Sequence, residues 1–263
     1  MSLDVPHIYR FLALVAGLAT VAVSGPSYAQ KAQGYVLEVG GNVTGQVGAG
    51  QPVKVEKGQT LINNATITTS PQSFAVLKFE DGTAVLLKEN TSFQIQHYAY
   101  NPKVPKDAGA IFILVRGGLR MIAGPVMSRN RDALKVATPL VTMGIRGTEF
   151  VATLVNPLYL QVLSGAVGAT NAAGTVVFSA GQAAIVTSST TLGSLIPITQ
   201  VPPGVFQMPN FPLTAVPATI PSGIPVGGVA AGGFGAATAI AIGVIGVAGV
   251  IAASANQSSA TNH

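Results

Sequence analysis

The chain has no cysteine and no tryptophan, and only 9% of its 263 residues are charged, against about 25% in ordinary soluble domains. Without cysteine there is no disulfide framework, no thiolate metal site and no cysteine nucleophile. Only three histidines occur, and two of them (His7 and His263) lie near the ends, which argues against a multi-histidine metal centre. Aromatics are scarce at 6% while glycine (31) and proline (17) abound, a balance that favours turn-rich β structure over a helical bundle. Charge is missing altogether from the second part of the chain. All 14 basic and 9 acidic residues lie at or before Glu149, so the net charge of +5 belongs to the front.

The two ends read as something other than a domain. Arg10 precedes an apolar run from Phe11 to Val23. Gly25-Pro26 then leads to Ser27-Tyr28-Ala29, with small residues where signal peptidase requires them. Residues 1–29 therefore read as an export signal, with an uncleaved N-terminal anchor as the alternative, and the mature chain would begin at Gln30. Residues 30–192 read as one β domain. Residues 193–226 read as a linker, because eight prolines fall between Pro197 and Pro225 and each fixes φ and removes a donor. Residues 227–255 carry no charge and are long enough for a membrane-spanning helix, best placed over Phe234–Ala253. Their small-xxx-small spacing (Gly228, Gly232, Ala236; Ala239, Gly243) suits helix self-association, and a self-assembling Gly/Ala tail is the alternative. A polar tail, 256–263, closes the chain.

In the middle, short apolar runs recur every 8 to 12 residues between turn residues, the pattern of an all-β sandwich, jelly roll or solenoid. The runs predict strands at 35–39, 52–55, 65–69, 74–79, 83–88, 92–97, 111–115, 119–122, 134–137, 141–145, 149–154, 158–163, 166–169, 176–179 and 183–187. Asp81-Gly82 marks a hairpin, with Lys78 and Lys88 on one face and Ala75, Leu77 and Phe79 on the other. In LEVGGNV, ILVRGGLRMIAG and LQVLSGAVGA the glycines sit mid-strand, where sheets turn corners.

These motifs, in unbroken order over about residues 34 to 190, resemble the FecR domain family. The resemblance rests on Asp81-Gly82-Thr83, on Gly117-Gly118 between Arg116 and Arg120, and on Thr138-Pro139 leading into Gly144-Ile145-Arg146-Gly147-Thr148-Glu149-Phe150. It implies an extracytoplasmic, jelly-roll-like all-β domain, which in the founding members is the periplasmic half of an anti-sigma regulator. The cytoplasmic sigma-holding part has no counterpart here, so the sensing or interaction domain alone carries over.

Chemistry is sparse. Arg146 lies among apolar neighbours, so its guanidinium is expected either to cap carbonyls or pair with Glu149 at a sheet corner, or to contact an anionic partner. Arg116, Arg120, Arg129 and Arg131, with Lys135, form a basic stretch that is either a solvated face or a partner surface for acidic groups. His97 reads as a strand-end surface residue, and Glu80 and Asp81 as turn residues rather than an opposed carboxylate pair. No nucleophile elbow or P-loop occurs, and no cofactor, metal or nucleic acid is expected. The expectation is a non-catalytic, exported interaction domain held in a bacterial envelope by its tail, with a protein or envelope-glycan partner. The alternative is a structural or glycan-binding surface protein whose tail drives assembly.

Overall fold

The computed structural model describes residues 32–104, 107–125 and 133–214. The expected export signal, the linker beyond Thr214, the apolar segment, the polar tail, Arg129 and Arg131 lie outside them. Among the described residues no helix is long and apolar enough to cross a membrane.

The alternating apolar runs become strands, and the fold is all-β. In chain order they are β1 (Gly34–Gly40), β2 (Val43–Val47), β3 (Val53–Lys54), β4 (Thr60–Leu61), β5 (Ala65–Thr69), β6 (Phe74–Phe79), β7 (Ala84–Leu87) and β8 (Ser92–Ala99). There follow β9 (Gly109–Ile122), β10 (Leu134–Ala137), β11 (Thr142–Leu154), β12 (Leu158–Asn171), β13 (Gly174–Ser179), β14 (Ala183–Val186) and β15 (Ser194–Ile196). Three pairs of expected strands prove to be single long strands, β9, β11 and β12, that continue through their glycines. β2, β4 and β15 were not expected. β2 carries a glycine and a glutamine, β4 is two residues long, and β15 abuts Pro197, so none shows a readable alternation.

The long strands explain the architecture. Before Gly117, β9 pairs with β8 and β10; after it, the same strand pairs with β7 and β11. β11 changes neighbours likewise, from β10 to β9, and β12 from β14 to β13, while both stay paired to each other. One hydrogen-bonded sheet thus folds over into two layers. The first runs β15-β14-β12-β11-β9-β7-β6-β1-β4, and the second runs β3-β2-β5-β8-β9-β10-β11-β12-β13. One continuous apolar cluster fills the space between, with Leu77, Val85, Leu119, Phe150 and Leu160 from the first layer against Ile67, Ile95, Leu134, Met143 and Val167 from the second. A chain of aromatic rings, Phe79 to Phe112 at 4.9 Å and Phe112 to Phe93 at 5.3 Å, crosses it.

The outward face of the first layer is also buried. Val76, Leu86 and Val151 have almost no exposure although they point away from that core. The chain downstream of β15 returns to this face, where Thr153, Lys88 and Lys78 bond to the carbonyls of Val205, Gly204 and Thr214 and Val205 is buried. The described half of the expected linker is therefore a strap laid on the domain. Its prolines bar it from the ladder, as expected, but leave its carbonyls free to accept bonds from side chains.

Gly117 and Gly181 have nearly the same left-handed φ, +85° and +83°. A Cβ on Gly117 would lie 2.5 Å from the Thr91 Cα, whereas nothing stands within 4 Å at Gly181. Gly117→Ala should therefore cost about 2–4 kcal/mol and Gly181→Ala about 1 kcal/mol in urea unfolding. Equal losses would show that the corner is not sterically closed.

Candidate functional site

Each corner of the folded sheet is a glycine in left-handed backbone bracketed by a buried threonine. At Gly117, the Thr91 hydroxyl donates to the Gly118 carbonyl at 3.1 Å and accepts from the Gly118 N–H at 3.0 Å. At Gly147 (φ +58°) the bracket is Thr148, whose hydroxyl bonds the Ala166 carbonyl at 2.7 Å and the Arg146 carbonyl at 2.8 Å. Gly165 follows in the adjacent strand at φ +72°, so close that a Cβ would meet the Gly147 oxygen at 2.4 Å. Thr138 organises the Thr138–Val141 turn between β10 and β11, accepting from the N–H groups of Leu140 and Val141, with Pro139 in the turn. Gly144 lies opposite Gly168 in the β11–β12 ladder. Thr91, with its partner Thr69, had no signal in the sequence beyond being a threonine near a turn.

The β6–β7 hairpin tip turns inward. Gly82 alone takes positive φ, +96°, and Asp81 is fully buried. Its carboxylate accepts from the Tyr98 hydroxyl at 2.8 Å and the Thr83 hydroxyl at 2.7 Å, and its N–H donates to the Tyr98 oxygen at 2.9 Å. Burial first, then the Asp81 charge, pushes the Tyr98 phenol far above its ordinary range. Lys78, also buried, donates to the Gly82 carbonyl at 3.1 Å; burial holds its pKa below the usual lysine value while Asp81 acts the other way. Burial likewise lowers Lys88, opposed by Glu89.

Arg116 and Arg120, which flank the Gly117 corner, sit in different environments. Arg120 pairs with Glu149 through Nε at 2.7 Å and through Nη2, and both side chains are half-buried. Arg146 is therefore not the partner of Glu149, and it stands exposed. The register slips between Arg146 and Glu149 as the strand turns at Gly147, which directs Arg146 outward. Arg116 is exposed at the neighbouring corner, and His97 is exposed on β8. Among the described residues no three histidine or carboxylate side chains gather closely enough to hold a metal ion.

Residues 65–168 match the model of the FecR protein family. The chain carries a FecR domain. The match opens at β5 and closes within β12, so it takes in all of the corners at Gly117, Gly147 and Gly165 and the Asp81 hairpin, and leaves β1–β4, β13–β15 and the strap outside it. Two solved structures similar to the chain are each of a candidate anti-sigma factor from Parabacteroides distasonis ATCC 8503, at 15% and 16% identity. Each match covers 50% of this chain and 57% of that one, with a TM-score of 0.38. No curated protein matches. Within the FecR domain, the family motifs thus fall at corners and turns, where they carry backbone geometry and buried hydrogen bonds.

Two outcomes follow from these environments. Arg146→Ala should change stability by no more than about 0.5 kcal/mol, as at an exposed site, whereas Arg120→Ala should cost about 1 kcal/mol. Tyr98→Phe should cost about 1–3 kcal/mol at neutral pH, because the buried Asp81 loses a donor. Folded Tyr98 keeps its proton where the unfolded chain loses it, so wild-type stability falls as pH rises above about 10, by up to about 1.4 kcal/mol per unit. The depressed lysines act oppositely, adding stability with rising pH until about 10.4, their unfolded value. Denaturation curves taken above that pH should be flatter for Tyr98→Phe than for wild type; parallel curves would show that Tyr98 titrates normally.

Proposed function

We propose that this protein is a non-catalytic sensing domain of the FecR type, exported from a bacterial cytoplasm, tethered in the envelope by its C-terminal apolar segment, and engaged with a protein partner. The observation that carries the reading is the FecR match itself, which spans the corners and the inward hairpin. The sequence at the two ends supports the location: an export signal at 1–29 and an uncharged segment at 227–255 of membrane-spanning length. We read the folded sheet as the jelly-roll-like architecture of the family and the apolar segment as a helix. Buried polar groups serve structure: Tyr98 and Asp81 close a hairpin, and Lys78 supports a carbonyl. A regulatory role, working by contact rather than by chemistry, fits that use of polar groups.

One observation favours a second reading, a surface protein that assembles through uncharged contacts. Six of the nine large exposed aliphatics among the described residues, Val155, Leu163, Val177, Leu192, Leu195 and Ile198, lie in the part of the chain that has no charge. Fractionation separates the two. The tethered protein should stay with membranes through a high-salt wash and come free in detergent, and in-cell crosslinking of the tagged chain should give a discrete heteromeric adduct. Recovery in the soluble fraction, or a ladder of self-adducts alone, would sink the first reading in favour of the second.

A further inference from the structure

We propose that the outward face of the first layer is a binding groove for a proline-containing, turn-forming peptide, and that residues 201–214 are its intramolecular occupant. The proposal deepens the sensing reading, on which it rests, by assigning that domain a recognition surface and a cover. Among the described residues, the bonds that tie this segment to the sheet run one way. Lys88 Nζ donates to the Gly204 carbonyl at 3.1 Å and more weakly to that of Val205 at 3.5 Å. The Thr153 hydroxyl donates to the Val205 carbonyl at 2.7 Å, and Lys78 Nζ donates to the carbonyl of Thr214. Four residues of the segment have no N–H group, Pro202, Pro203, Pro209 and Pro212, and three N–H groups are turned inward on the segment. Val205 donates to Pro202 at 3.3 Å, Gln207 to Gly204 at 3.2 Å and Phe211 to Pro209 at 2.9 Å.

The sheet thus supplies donors and the occupant supplies acceptors. A proline-containing segment whose turns take up some of its own N–H groups offers carbonyls and asks for few donors in return. This differs from strand addition, which would use both; β15, just upstream, pairs with β14 as a true strand. The same face of the sheet carries the apolar Val76, Leu86 and Val151, and beside them the strap's carbonyls are the partners of two ammonium groups and a hydroxyl. The strap is held lightly for a segment of 14 residues, since Val205 is its only buried side chain. Nor does it fill the groove: a cleft of about 450 Å³ remains between Gln207 and Met208 of the strap and Gln72, Phe74 and Lys88 of the sheet. The groove therefore suits a partner segment with the same carbonyl-rich, N–H-poor backbone and a larger side chain at that cleft.

The test is complementation in trans. In the full chain, residues 201–214 are replaced by a Gly/Ser sequence of equal length, and the probe is a fluorescent synthetic peptide of the native 201–214 sequence. Anisotropy should rise saturably with the replaced chain and hardly at all with wild type, whose groove is occupied. Adding Lys88→Met and Thr153→Val to the replaced chain should weaken binding at least tenfold. Absence of binding by a replaced chain that keeps its β-sheet circular dichroism, or equal binding by wild type, would overturn the proposal. If the replaced chain does not fold, hydrogen exchange of wild type decides. The amides of Val205, Gln207 and Phe211 should exchange at least tenfold faster than those of Leu86 and Val151, and equal rates would show a strap that opens only with global unfolding. Neither readout depends on envelope location or on the crosslinked partner, so failure of the sensing reading would remain distinguishable.

Discussion

Three strands, β9, β11 and β12, each belong to both layers of the fold, and the chain meets that demand only where the backbone can turn through a left-handed residue without a Cβ. Gly117, Gly147 and Gly165 are those points, and close contacts at Gly117 and Gly165 leave no room for a side chain. A corner also interrupts the ladder, stranding backbone donors and acceptors in a dry interior. Thr91 and Thr148 answer that second problem, because one hydroxyl both donates and accepts and is small enough to sit inside the bend. The rest of the structure follows from these corners: the shared core, the change of neighbours along each strand, and the outward turn of Arg146.

The same arrangement decides where charge can go. In the first layer the inward face is filled with aliphatics, so Lys78 and Lys88 occupy the opposite face, as alternation requires. There they meet a strap that offers carbonyls rather than carboxylates. Burial of an ammonium against neutral acceptors is tolerable when its donors are used, and the lowered lysine pKa values are the residue of that desolvation. The uncharged strap is thus suited to its position, since it presents polarity through its backbone alone. Arg120 and Glu149 neutralise each other on that face, which leaves Arg116 and Arg146 at the corners as exposed cations.

Much of the fold was legible in the sequence, and the reason is local. β5 and β10 alternate strictly, β6 is an apolar run, and the hairpin that β6 opens is marked by Asp81-Gly82. Mid-strand glycines pointed to corners because few other roles suit them. The candidate site was less legible. Arg146 looked buried because its sequence neighbours are apolar, yet burial depends on which way a strand emerges from a bend. The pairing of Glu149 with Arg120 joins residues 29 apart in sequence through the β9–β11 register, which no local pattern encodes. Thr91 and Thr69 carry no distinguishing neighbours at all.

The sequence by itself determined the class of structure and the distribution of charge. Period-two alternation, turn residues and a charge-free span after Glu149 are properties of neighbours along the chain. Tertiary structure decided what the proline-rich stretch does. A proline-rich stretch guarantees a backbone poor in donors, and it reads equally as a free spacer or as a ligand. Only the placement of Lys78, Lys88 and Thr153 on one face of a folded sheet turns residues 201–214 into a strap, because hydrogen-bond complementarity is a relation between surfaces distant in the chain.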